Sequence, residues 1–483
     1  MTQLLYEYQL PMKTKIPYQY FTFLLFFSLA IQPLSAQDAS YSGQKMDGFK
    51  GVWFTLGQFS EYGDKYSGGL GTYTAKHIPL AIYSPEVKKT FFVYGGTTGP
   101  DEKYLLCMIG SFDHKTKKVT KPVVVHDKEG VDDPHDNPSL SIDDQGYIWV
   151  FVSGRGRRRM GYKYRSKEPY SIESFDRITE EEMTYPQPKF IPGKGFLNLF
   201  TKYTGVRELY TETSADGISW TDDRLLVAMK REGDQHSGHY QISGQYGEKV
   251  VFFCNWHPNG NVDQRTNIYY FQSTDFGNTW TTVQGDEVSI PVTEVDASVL
   301  VKEFYSKGVN VYIKDVNFDS QGNPIALYVS GPGHQPGPAN GPRTWSVIYW
   351  DGTGWEDHQI TTSDQNYDSG SLWVDGDNWM VIGPTENSPQ EWGAGGELQQ
   401  WRSTDKGKTW EMTKQITSES PRNHNYARRV SNGQDPFLYF WADGNPDDFS
   451  VSRLYFGDSK GRVWGLPYDM EKEKQKAKRI KKF

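Results

Sequence analysis

Two copies of one eight-residue motif constrain the fold of this chain more than any other feature of its sequence. Residues 273–280 read STDFGNTW and residues 403–410 read STDKGKTW, so both follow the pattern S-x-D-x-G-x-T-W. In such a turn the Asp side chain can accept hydrogen bonds from backbone N–H groups, and the Gly supplies a positive φ angle. The final Trp can pack the turn against a neighbouring sheet. The motif therefore predicts a β-hairpin turn, which indicates an architecture but no reaction.

This motif, the Asp-box, recurs in β-propellers of the sialidase type. Degenerate copies occur elsewhere and begin at Asp143, Asp216, Asp319, Asp351 and Asp458. Neighbouring copies are most often about 55 residues apart, close to the length of a four-stranded propeller blade. Strand-like runs such as YIWVFVSG and LYFWAD lie between the turns. We therefore predict an all-β fold, with residues 37–468 forming a single domain that is a seven-bladed β-propeller; six or eight blades are the alternatives.

The composition agrees with many short strands joined by turns. Aromatic residues make up 15% of the 483 residues, Gly occurs 48 times and the mean hydropathy is −0.69, which argues against a helical bundle. The net charge of −8 argues against nucleic acid as a partner. An anionic glycan is not excluded, because a basic cleft can lie on an acidic protein. Cys107 and Cys254 are too few for a disulfide scaffold, and two buried free thiols are expected.

Both ends of the chain carry charged or apolar segments of their own. Residues 1–36 read as a cleaved signal peptide, with Met12 as an alternative start, an apolar run at residues 20–30 and a small-residue cleavage site. We therefore expect a secreted or periplasmic protein with no later membrane span. Residues 469–483 form a basic C-terminal tail, expected as a frayed helix at a solvated terminus.

The densest polar cluster precedes a predicted strand. Residues 131–140 read VDDPHDNPSL, and the strand after them ends in SGRGRRR. A His between Pro and Asp does not fit easily in mid-strand, so His135 is expected on a loop or strand start that faces a cavity. Arg155 can pair bidentately with a carboxylate. The alternatives are a structural His bonded to backbone and a solvated basic surface.

Other polar residues recur at blade-like intervals. Tyr185 opens the next strand pair and Lys202 follows it, and a Tyr beside a cation in a cleft can act as an acid or a base. A funnel of this kind suits an acidic sugar, with Arg and His for its carboxylate, Asn for hydroxyl groups and aromatic rings for sugar faces. The candidate substrate-binding residues are Asn137, His239, Tyr240, His257, Arg265, Arg343, Tyr367 and Arg428. At least half of the polar candidates are expected to serve inter-blade hydrogen bonds instead.

Metal-binding signatures are weak. His236, His239 and His257 could form a site with Asp263, but the sequence has no H-E-x-x-H motif and no pair of closely spaced cysteines. It also has no G-x-S-x-G motif, no P-loop and no dinucleotide fingerprint. We expect that no cofactor is required, and a structural divalent ion (Ca or Zn) is the alternative.

Seven stretches resemble the BNR-repeat propellers that act on rhamnose–glucuronate linkages. That group includes α-L-rhamnosidases, rhamnosyl-glucuronate lyases and ulvan lyases. The stretches are residues 62–73 (YGDKYSGGLGTY), 135–157 (HDNPSLSIDDQGYIWVFVSGRGR), 185–188 (YPQP), 255–267 (NWHPNGNVDQRTN), 366–372 (NYDSGSL), 393–398 (GAGGEL) and 423–429 (NHNYARR). Together they extend over nearly the whole chain after the signal peptide.

The resemblance implies a secreted glycan-degrading enzyme with a seven-bladed propeller. In lyase members the His of the HDNP motif, here His135, contributes to the catalytic centre with a Tyr and a basic residue, for which Tyr185 and Lys202 are the nearest matches. Ulvan lyases often carry a second His where this chain has Arg155. In rhamnosidase members a catalytic His lies on the opposite face of the propeller. Its match is Gln58, which cannot act as a general base and is assigned to substrate binding.

The chemistry of β-elimination fits these residues. Removing H5 of a glucuronate requires a base, neutralisation of the carboxylate and an acid for the leaving oxygen at C4. Arg155 or Lys202 can neutralise, and His135 or Tyr185 can abstract or donate the proton. Hydrolysis usually needs two carboxyl groups at a defined separation, and the sequence shows no obvious pair.

We therefore predict a secreted polysaccharide lyase that cleaves α-L-rhamnosyl-(1→4)-D-glucuronate linkages. Its partner is an anionic rhamnose- and glucuronate-containing polysaccharide, such as ulvan or an arabinogalactan. The chain is expected to act as a monomer, with no nucleic-acid partner. The alternatives are an α-L-rhamnosidase acting on the same linkage and a non-catalytic glycan-binding propeller.

Overall fold

Short β-strands form most of the regular structure in the computed structural model, which describes residues 40–386 and 389–483. The predicted signal peptide, residues 1–36, lies outside the described residues. The first strands are β1 (Gly51–Thr55), β2 (Phe59–Ser60), β3 (Gly63–Asp64), β4 (Ser67–Gly69), β5 (Ala81–Ser84), β6 (Lys89–Gly96), β7 (Leu106–Asp113), β8 (Lys118–Thr120) and β9 (Val123–Asp127).

The middle of the chain runs through consecutive groups of antiparallel strands. These are β10 (Pro138–Ile142), β11 (Ile148–Val152), β12 (Gly161–Ser166), β13 (Phe175–Glu181), β14 (Thr184–Ile191), β15 (Gly195–Lys202), β16 (Glu208–Ser214), β17 (Arg224–Lys230), β18 (His239–Tyr246), β19 (Lys249–Trp256), β20 (Thr266–Ser273), β21 (Val292–Glu294) and β22 (Leu300–Lys302).

The last third of the chain continues the pattern. Its strands are β23 (Asn310–Phe318), β24 (Pro324–Gly331), β25 (Arg343–Trp350), β26 (Trp355–Ser363), β27 (Ser371–Asp375), β28 (Asn378–Glu386), β29 (Glu397–Ser403), β30 (Glu411–Gln415), β31 (Asn423–Gln434), β32 (Phe437–Gly444), β33 (Ser450–Ser452), β34 (Leu454–Gly457), β35 (Val463–Gly465), β36 (Lys474–Lys476) and β37 (Lys478–Ile480).

Helical structure within the described residues is limited to single 3-10 turns. These turns are Pro134–Asp136, Pro258–Gly260, Val262–Gln264, Tyr305–Lys307 and Pro338–Asn340. The all-β prediction is therefore confirmed. In residues 40–386 and 389–483 the search for a helix of sufficient length and hydropathy to cross a membrane finds none.

Most sheets are four-stranded meanders of sequential strands. The strand orders are β10-β11-β12-β13, β18-β19-β20-β22, β23-β24-β25-β26 and β27-β28-β29-β30, and β21 adds a parallel edge to β14-β15-β16-β17. The strands nearest the start of each group contact one another in sequence: β10 with β14, β14 with β18, β18 with β23, β23 with β27, and β27 with β31. Side chains at the N-terminal ends of these strands can therefore meet although they are far apart in sequence.

The two ends of the described chain are joined in one eleven-stranded sheet. Its order is β36-β8-β7-β6-β5-β31-β32-β34-β35-β37, with β9 also paired to β7. Ser431 of β31 pairs with Ile82 of β5 in a parallel contact. Early and late segments of the chain therefore share backbone hydrogen bonds.

The C-terminal tail differs from the sequence prediction. Residues 469–483 contain the strands β36 and β37 and no helix. β36 pairs with β8 and β37 pairs with β35. The prediction of a frayed helix was wrong, because two unpaired sheet edges offer the tail backbone hydrogen bonds that a short isolated helix would lack.

The Asp-box turns have the geometry expected from their sequence. The carboxylate of Asp275 accepts from the backbone N of Thr279 at 2.9 Å, and Asp405 makes the same contact with Thr409 at 2.9 Å. Gly277 has φ +80°, where an L side chain would be strained. Trp280 is 1% exposed and lies 5.2 Å from Phe252, ring centre to ring centre.

The core lies between neighbouring sheets and is rich in aromatic rings. Leu197 and Leu199 of β15 pack in one cluster with Phe252, Phe271 and Trp280. The alternating strand pattern supplies these side chains, since every second residue of a strand faces the same side. Both cysteines are buried free thiols, as predicted.

Candidate active site

A polar cleft gathers side chains from segments that are far apart in the sequence. It has a volume of about 140 Å³. Its lining residues are Leu56, Gln58, Tyr66, Tyr73, Thr74, Ala75, Lys76, His135, Arg155, Tyr185, Arg207, Tyr240, Val262, Arg265, Tyr312, Lys314, Tyr367 and Tyr426. Among these described residues there are five cationic groups, seven tyrosines and no Asp or Glu. The cleft is therefore built to receive an anionic ligand with hydroxyl groups.

Strand starts and short turns place the polar groups. His135 lies in the 3-10 turn before β10, and Arg155 follows β11. Tyr185 is the second residue of β14 and has φ +54°, a left-handed conformation. Tyr240 is the second residue of β18, and Arg265 directly precedes β20. Each side chain is thus held close to a point where a strand begins or ends.

His135 is held by the carboxylate of Asp133. Asp133 caps the 3-10 turn by accepting from the backbone N of His135 at 3.0 Å, and its Oδ1 lies 2.5 Å from Nδ1 of the same residue. Nε2 of His135 lies 3.3 Å from the hydroxyl of Tyr73. Burial lowers the pKa of His135 despite the nearby Asp133. The ring is therefore neutral, with its proton on Nδ1 and Nε2 accepting from Tyr73.

Ion pairs hold the carboxylate of Asp133 in position. Nη2 of Arg159 lies 2.6 Å from Oδ2 of Asp133 and 2.9 Å from Oδ1 of Asp136. Lys128 lies 3.0 Å from the other oxygen of Asp136, which is fully buried. Burial alone would raise the pKa of Asp133, but the hydrogen bonds from His135 and the charge of Arg155 hold it well below its ordinary value. Asp133 is therefore a charged and well-positioned acceptor for His135.

Tyr240 is the tyrosine of the cleft whose hydroxyl is the most acidic. Burial raises its pKa, but nearby guanidinium groups outweigh burial and bring the pKa below its ordinary value. These groups belong to Arg207, Arg265 and Arg155. The guanidinium carbons of Arg265 and Arg207 lie 4.9 Å and 5.7 Å from the centre of the Tyr240 ring. Cations therefore stabilise a phenolate at this position.

Tyr185 lies beside Tyr240, and its pKa is shifted in the opposite direction. The two ring centres are 5.7 Å apart in an edge-on arrangement. Burial raises the pKa of Tyr185 well above its ordinary value, and the nearby Tyr185 contributes to lowering that of Tyr240. Tyr185 therefore keeps its proton while Tyr240 can give its own up. Two adjacent groups with separated pKa values are the usual arrangement of an acid and a base.

In the part of the chain that the structure describes, Arg155 is the one cation of the cleft with a carboxylate within 4.0 Å, because its Nε lies 3.5 Å from Oδ2 of Asp133. Nη2 of Arg265 donates to the hydroxyl of Tyr367 at 2.7 Å. Arg207 donates to the carbonyl of Gly260 at 3.3 Å, and its Nε has no hydrogen-bond partner in the described part of the chain. Nη1 of Arg155 is likewise buried without a partner among the described residues. These free donors can bind a carboxylate of a ligand.

Two lysines add to this positive charge. Burial lowers the pKa of Lys76, and it lowers the pKa of Lys314 to about 7. Lys76 lies 5.0 Å from the centre of the Tyr240 ring, and Lys314 donates to the carbonyl of Asn366 at 2.6 Å. An anion bound in the cleft would favour the protonated form of both lysines.

Seven residues expected at the site from the sequence line this cleft: Gln58, His135, Arg155, Tyr185, Tyr240, Arg265 and Tyr367. Gln58 was expected from the rhamnosidase resemblance on the opposite face of the propeller from His135. The structure corrects that expectation, because both side chains line the same cleft. The segment that carries Gln58 is held by Asp64, whose carboxylate accepts from the backbone N of Gln58 at 3.0 Å.

Lys202 lies outside the cleft, which corrects its assignment as a catalytic cation. It is the last residue of β15, and its ammonium group pairs with the carboxylate of Asp223. Arg207, which precedes β16, lines the cleft instead. β15 ends at Lys202, and the chain turns before it reaches Arg207. The two cations are only five residues apart, so a small error in the predicted position of the turn is enough to choose Lys202 instead of Arg207.

The remaining candidates serve the backbone around the cleft. Nδ2 of Asn137 donates to the carbonyls of Leu70 and Tyr73 at 2.5 Å and 2.6 Å. Arg428 donates to the carbonyl of Thr72 at 3.2 Å and to that of His77. Both residues therefore hold the loop that carries Tyr73 and are corrected from substrate-binding to structural positions.

Arg343, His239 and His257 are corrected in the same way. Arg343 donates to the carbonyls of Gly333 and Gln335, both at 2.7 Å. Nε2 of His239 accepts from a backbone N at 3.0 Å while Nδ1 donates to a carbonyl at 3.1 Å. His257 donates to the side chain of Asn255 at 3.1 Å and packs 4.9 Å from the Tyr240 ring. None of these three lines the cleft among the residues that the structure describes.

Sequence reasoning missed several lining residues, and most of them are tyrosines: Tyr66, Tyr73, Lys76, Arg207, Tyr312, Lys314 and Tyr426. Tyr66 and Tyr73 lie within one of the stretches that carried the family resemblance, as does Tyr426. Their position in these stretches could have identified the three tyrosines as candidate site residues. Lys314 and Tyr312 lie inside β23, where the sequence resembles an ordinary buried strand.

A site of His236, His239, His257 and Asp263 was only a possibility from the sequence, and these residues do not form a set of close ligands among the described residues. In the described part of the chain, the potential metal ligands that lie within 4.8 Å of one another as a set of three are those of Glu181, Glu212 and Asp223. Nζ of Lys163 already lies 2.5 Å from Glu181 and 2.9 Å from Glu212. A lysine ammonium group therefore occupies the position between these carboxylates.

Ulvan lyases are among the known proteins to which this chain is similar. An ulvan lyase of Nonlabens ulvanivorans is 23% identical over 286 residues, which are 51% of this chain and 60% of that protein. An ulvan lyase of Alteromonas sp. (strain LOR) is 22% identical over 317 residues, which are 57% of this chain and 64% of that protein. The chain thus spans less than two thirds of the length of these curated relatives.

A solved structure of an ulvan lyase from polysaccharide lyase family PL25 superimposes with a TM-score of 0.70 at 18% identity. The superposition covers 86% of this chain and 96% of that one. At this identity the likeness shows the fold alone. A model described as a BNR repeat-containing family member matches residues 105–363. These residues are more than half of the chain and include His135, Arg155, Tyr185, Tyr240 and Arg265, and the chain belongs to the BNR repeat-containing family.

Proposed function

We propose that this protein is a polysaccharide lyase that cleaves α-L-rhamnosyl-(1→4)-D-glucuronate linkages by β-elimination. One observation carries the proposal: Tyr240, with its lowered pKa, lies among arginines in a cleft whose described lining includes no carboxylate. The similarity to ulvan lyases supports the reaction class. A solved PL25 structure holds a fragment described as -[GlcA(1-4)Rha3S]-, which supports a glucuronate-containing glycan as the substrate class.

The arginines bind the carboxylate of the glucuronate. Elimination starts with loss of H5, and that proton becomes acidic only when the adjacent carboxylate is neutralised. Arg155 and Arg207 carry buried N–H groups with no partner in the described part of the chain, and the guanidinium carbon of Arg265 lies 4.9 Å from the centre of the Tyr240 ring. We assign neutralisation to these three groups, and a bidentate contact would orient the sugar as well.

Tyr240 acts as the base and Tyr185 as the acid. The phenolate of Tyr240 takes H5, a double bond forms between C4 and C5, and the C4–O4 bond breaks. Tyr185 donates its proton to the departing oxygen, which becomes the anomeric hydroxyl of the released rhamnosyl unit. The proton that Tyr240 took from C5 then passes to the neighbouring Tyr185, whose ring centre lies 5.7 Å from that of Tyr240. The cycle ends with both groups in their starting state.

His135 contributes in a way that the sequence could not specify. Its neutral Nε2 accepts from Tyr73, which fixes that hydroxyl group in the wall of the cleft. The same geometry supports a second assignment, in which Tyr73 takes H5 and passes its own proton to Nε2 of His135. The imidazolium formed would be stabilised by Asp133. The pH dependence of the rate distinguishes the two, since only the first requires an ionised tyrosine.

Hydrolysis of the same linkage is less well supported. Inverting and retaining glycosidases usually use two carboxyl groups that flank the glycosidic bond. The lining of the cleft includes no Asp or Glu among the described residues, and Gln58 cannot act as a base. A non-catalytic glycan-binding role would not require the lowered pKa of Tyr240.

We also infer the finer architecture and the setting of the enzyme. Contacts between the first strands of successive sheets, from β10 through to β31 and back to β5, support a closed ring of seven blades. The apolar run near the N-terminus supports export through a signal peptide, and we propose that the secreted enzyme acts as a monomer. The proposed substrates are ulvan and the side chains of arabinogalactans. The arginines of the cleft neutralise the glucuronate carboxylate of these polymers.

The test is absorbance near ~235 nm during incubation with ulvan and with gum arabic, because elimination alone creates an unsaturated uronate. Free rhamnose is assayed in parallel. Tyr240→Phe should lower the rate by at least about a thousandfold. Tyr246→Phe is the matched control, because it lies on the same strand but is 43% exposed. Free rhamnose without absorbance would replace the proposal with hydrolysis, and binding without either product would indicate a binding module.

A further inference from the structure

A second cavity lies at the junction between the C-terminal tail and the last sheets, and it is larger than the cleft. Its volume is about 590 Å³. The strands β36 and β37 form one wall, and residues from β31, β32 and β34 form the opposite side. Both tail strands pair with other strands, so their backbone is held in place by the sheet. We call this cavity the tail pocket.

The side chains that line the tail pocket carry a net positive charge, whereas the whole protein is negative. Arg422, Arg453, Lys476, Lys478 and Lys482 line it. The acidic residues of its described lining are Asp443 and Asp469, so the formal balance is five positive groups against two negative ones. The whole chain has a net charge of −8. A local excess of cations on an acidic protein indicates an anionic ligand.

The cations of the tail pocket form no close ion pair within the described residues. Within residues 40–386 and 389–483, none of the five has a carboxylate within 4.0 Å. Asp469 pairs with Lys50, outside the pocket, at 3.9 Å. The carboxyl group of Asp443 accepts from the backbone N of Arg453 at 2.7 Å and from the hydroxyl of Tyr455 at 3.0 Å. Burial raises the pKa of Asp443, while these hydrogen bonds and the charges of Arg422 and Arg453 act in the opposite direction.

Aromatic rings in edge-on contact lie beside these charges. The ring of Phe483 lies 5.4 Å from that of Tyr455 and 4.8 Å from that of His424. Arg453 lies 5.6 Å from the centre of the Tyr468 ring. His424 is neutral, because burial lowers its pKa to about 3. Rings next to fixed cations suit a ligand that has both sugar faces and acidic groups.

The tail pocket and the candidate active site share a strand. β31 contributes His424 to the tail pocket and Tyr426 to the cleft. Two residues along a strand span about 7 Å. The two cavities are therefore connected through one strand.

We propose that the tail pocket is an accessory binding site for an acidic segment of a polysaccharide. Uronate carboxylates or sulfate esters contact the arginines and lysines, and a sugar ring packs against the aromatic side chains. The choice of an acidic glycan rests on the proposed function, since the cleft is assigned to the same class of ligand. Holding a distant part of the polymer raises the local concentration of cleavable linkages at the cleft.

Affinity gel electrophoresis tests the proposal. The pocket variant is Lys476→Ala/Lys478→Ala. The matched control is Lys474→Ala/Arg479→Ala, which removes the same two charges from β36 and β37 at positions that do not line the pocket. Both are made in the Tyr240→Phe protein so that the probe is not degraded. The gels contain ulvan, chemically desulfated ulvan or a neutral glucan.

The pocket variant should bind ulvan at least about fivefold more weakly, which corresponds to about one lost charge contact. The control should bind like its Tyr240→Phe parent, and none of the proteins should be retarded by the neutral glucan. A loss with ulvan alone assigns the site to sulfate, and an equal loss with desulfated ulvan assigns it to uronate. Equal weakening of both variants, or of neither, would overturn the proposal.

A vesicle assay with phosphatidylserine membranes separates a glycan site from a lipid site. Loss of vesicle binding in the pocket variant, with unchanged binding to ulvan, would overturn the proposal in favour of an anionic membrane. None of these measurements requires turnover. A failure of the proposed lyase activity would appear only in the absorbance assay, so the two failures are distinguishable.

Discussion

Nδ1 of His135 lies 2.5 Å from Oδ1 of Asp133, and this contact determines which nitrogen of the ring faces the cleft as an acceptor. Since a carboxylate can only accept, the proton is on Nδ1 and Nε2 is free to accept from Tyr73. The arrangement resembles the carboxylate that orients the histidine of a catalytic triad. Asp133 is therefore a positioning residue that acts through His135.

Replacing Asp133 should disturb catalysis without removing any group that contacts substrate. We expect Asp133→Ala to lower kcat by about ten- to a hundredfold, because the imidazole loses both its orientation and its tautomer. Asp133→Asn keeps an acceptor oxygen and should lose less. Initial rates near ~235 nm measure the effect of each change. Asp132→Ala, at the exposed neighbouring position, should behave like wild type; an equally active Asp133→Ala protein would refute the assignment.

Arg207 and Lys202 provide a direct test of the corrected site. Arg207 lines the cleft, whereas Lys202 pairs with Asp223 outside it. Arg207→Ala should lower kcat/KM by at least about a hundredfold, as expected for the loss of one group that stabilises developing charge. Lys202→Ala should remain within about threefold of wild type. The reverse order would restore the sequence-based assignment of Lys202.

The rate should depend on the ionisation of Tyr240. Since guanidinium groups lower its pKa, the active phenolate is present above that lowered pKa and is lost as the pH falls through it. A profile of kcat/KM against pH should therefore rise to a plateau, with a midpoint below the ordinary tyrosine value of about 10. Arg265→Ala should move the midpoint to higher pH because one stabilising charge is removed. An unshifted midpoint would instead favour the assignment in which Tyr73 and His135 form the base.

Gly277 should be more sensitive than an ordinary turn glycine. Its φ is +80°, and a Cβ added there would lie 2.9 Å from Cδ1 of Leu197. Gly247 also has a positive φ, of +58°, but has no atom within 4 Å of an added Cβ. We expect Gly247→Ala to cost about 1 kcal/mol of the free energy of unfolding, and Gly277→Ala to cost more because packing strain adds to backbone strain. Denaturant unfolding of both variants measures the difference, and equal losses would exclude a packing contribution.

The sequence predicted the turns and sheets well, because their signals are local. The two complete Asp-boxes and a weaker copy such as that at Asp143 each place a carboxylate next to the backbone N–H groups that it binds. Each turn depends on a few adjacent residues and needs no information from other sheets.

The site was predicted only in part, because its residues are selected by three-dimensional position. His135, Arg155 and Tyr185 were found through motif composition and resemblance, and all three line the cleft. Lys314 and Lys76 were missed, because a buried lysine inside a strand or loop gives no periodic signal. Asn137 and Arg428 were misassigned since polar residues that hold a loop and polar residues that hold a ligand have the same composition.

The pairing between β36 and β8 has a consequence for how the protein folds during synthesis. β36 contributes Lys474–Lys476 and β8 contributes Lys118–Thr120, so the two strands are separated by most of the chain. The meanders between them contain hairpins that can form as each segment leaves the ribosome. The edge of β8, however, remains open until Lys474–Lys476 have been translated. An exposed strand edge invites pairing with another chain, and a nascent molecule that stalls between β8 and β36 therefore carries an edge that can aggregate.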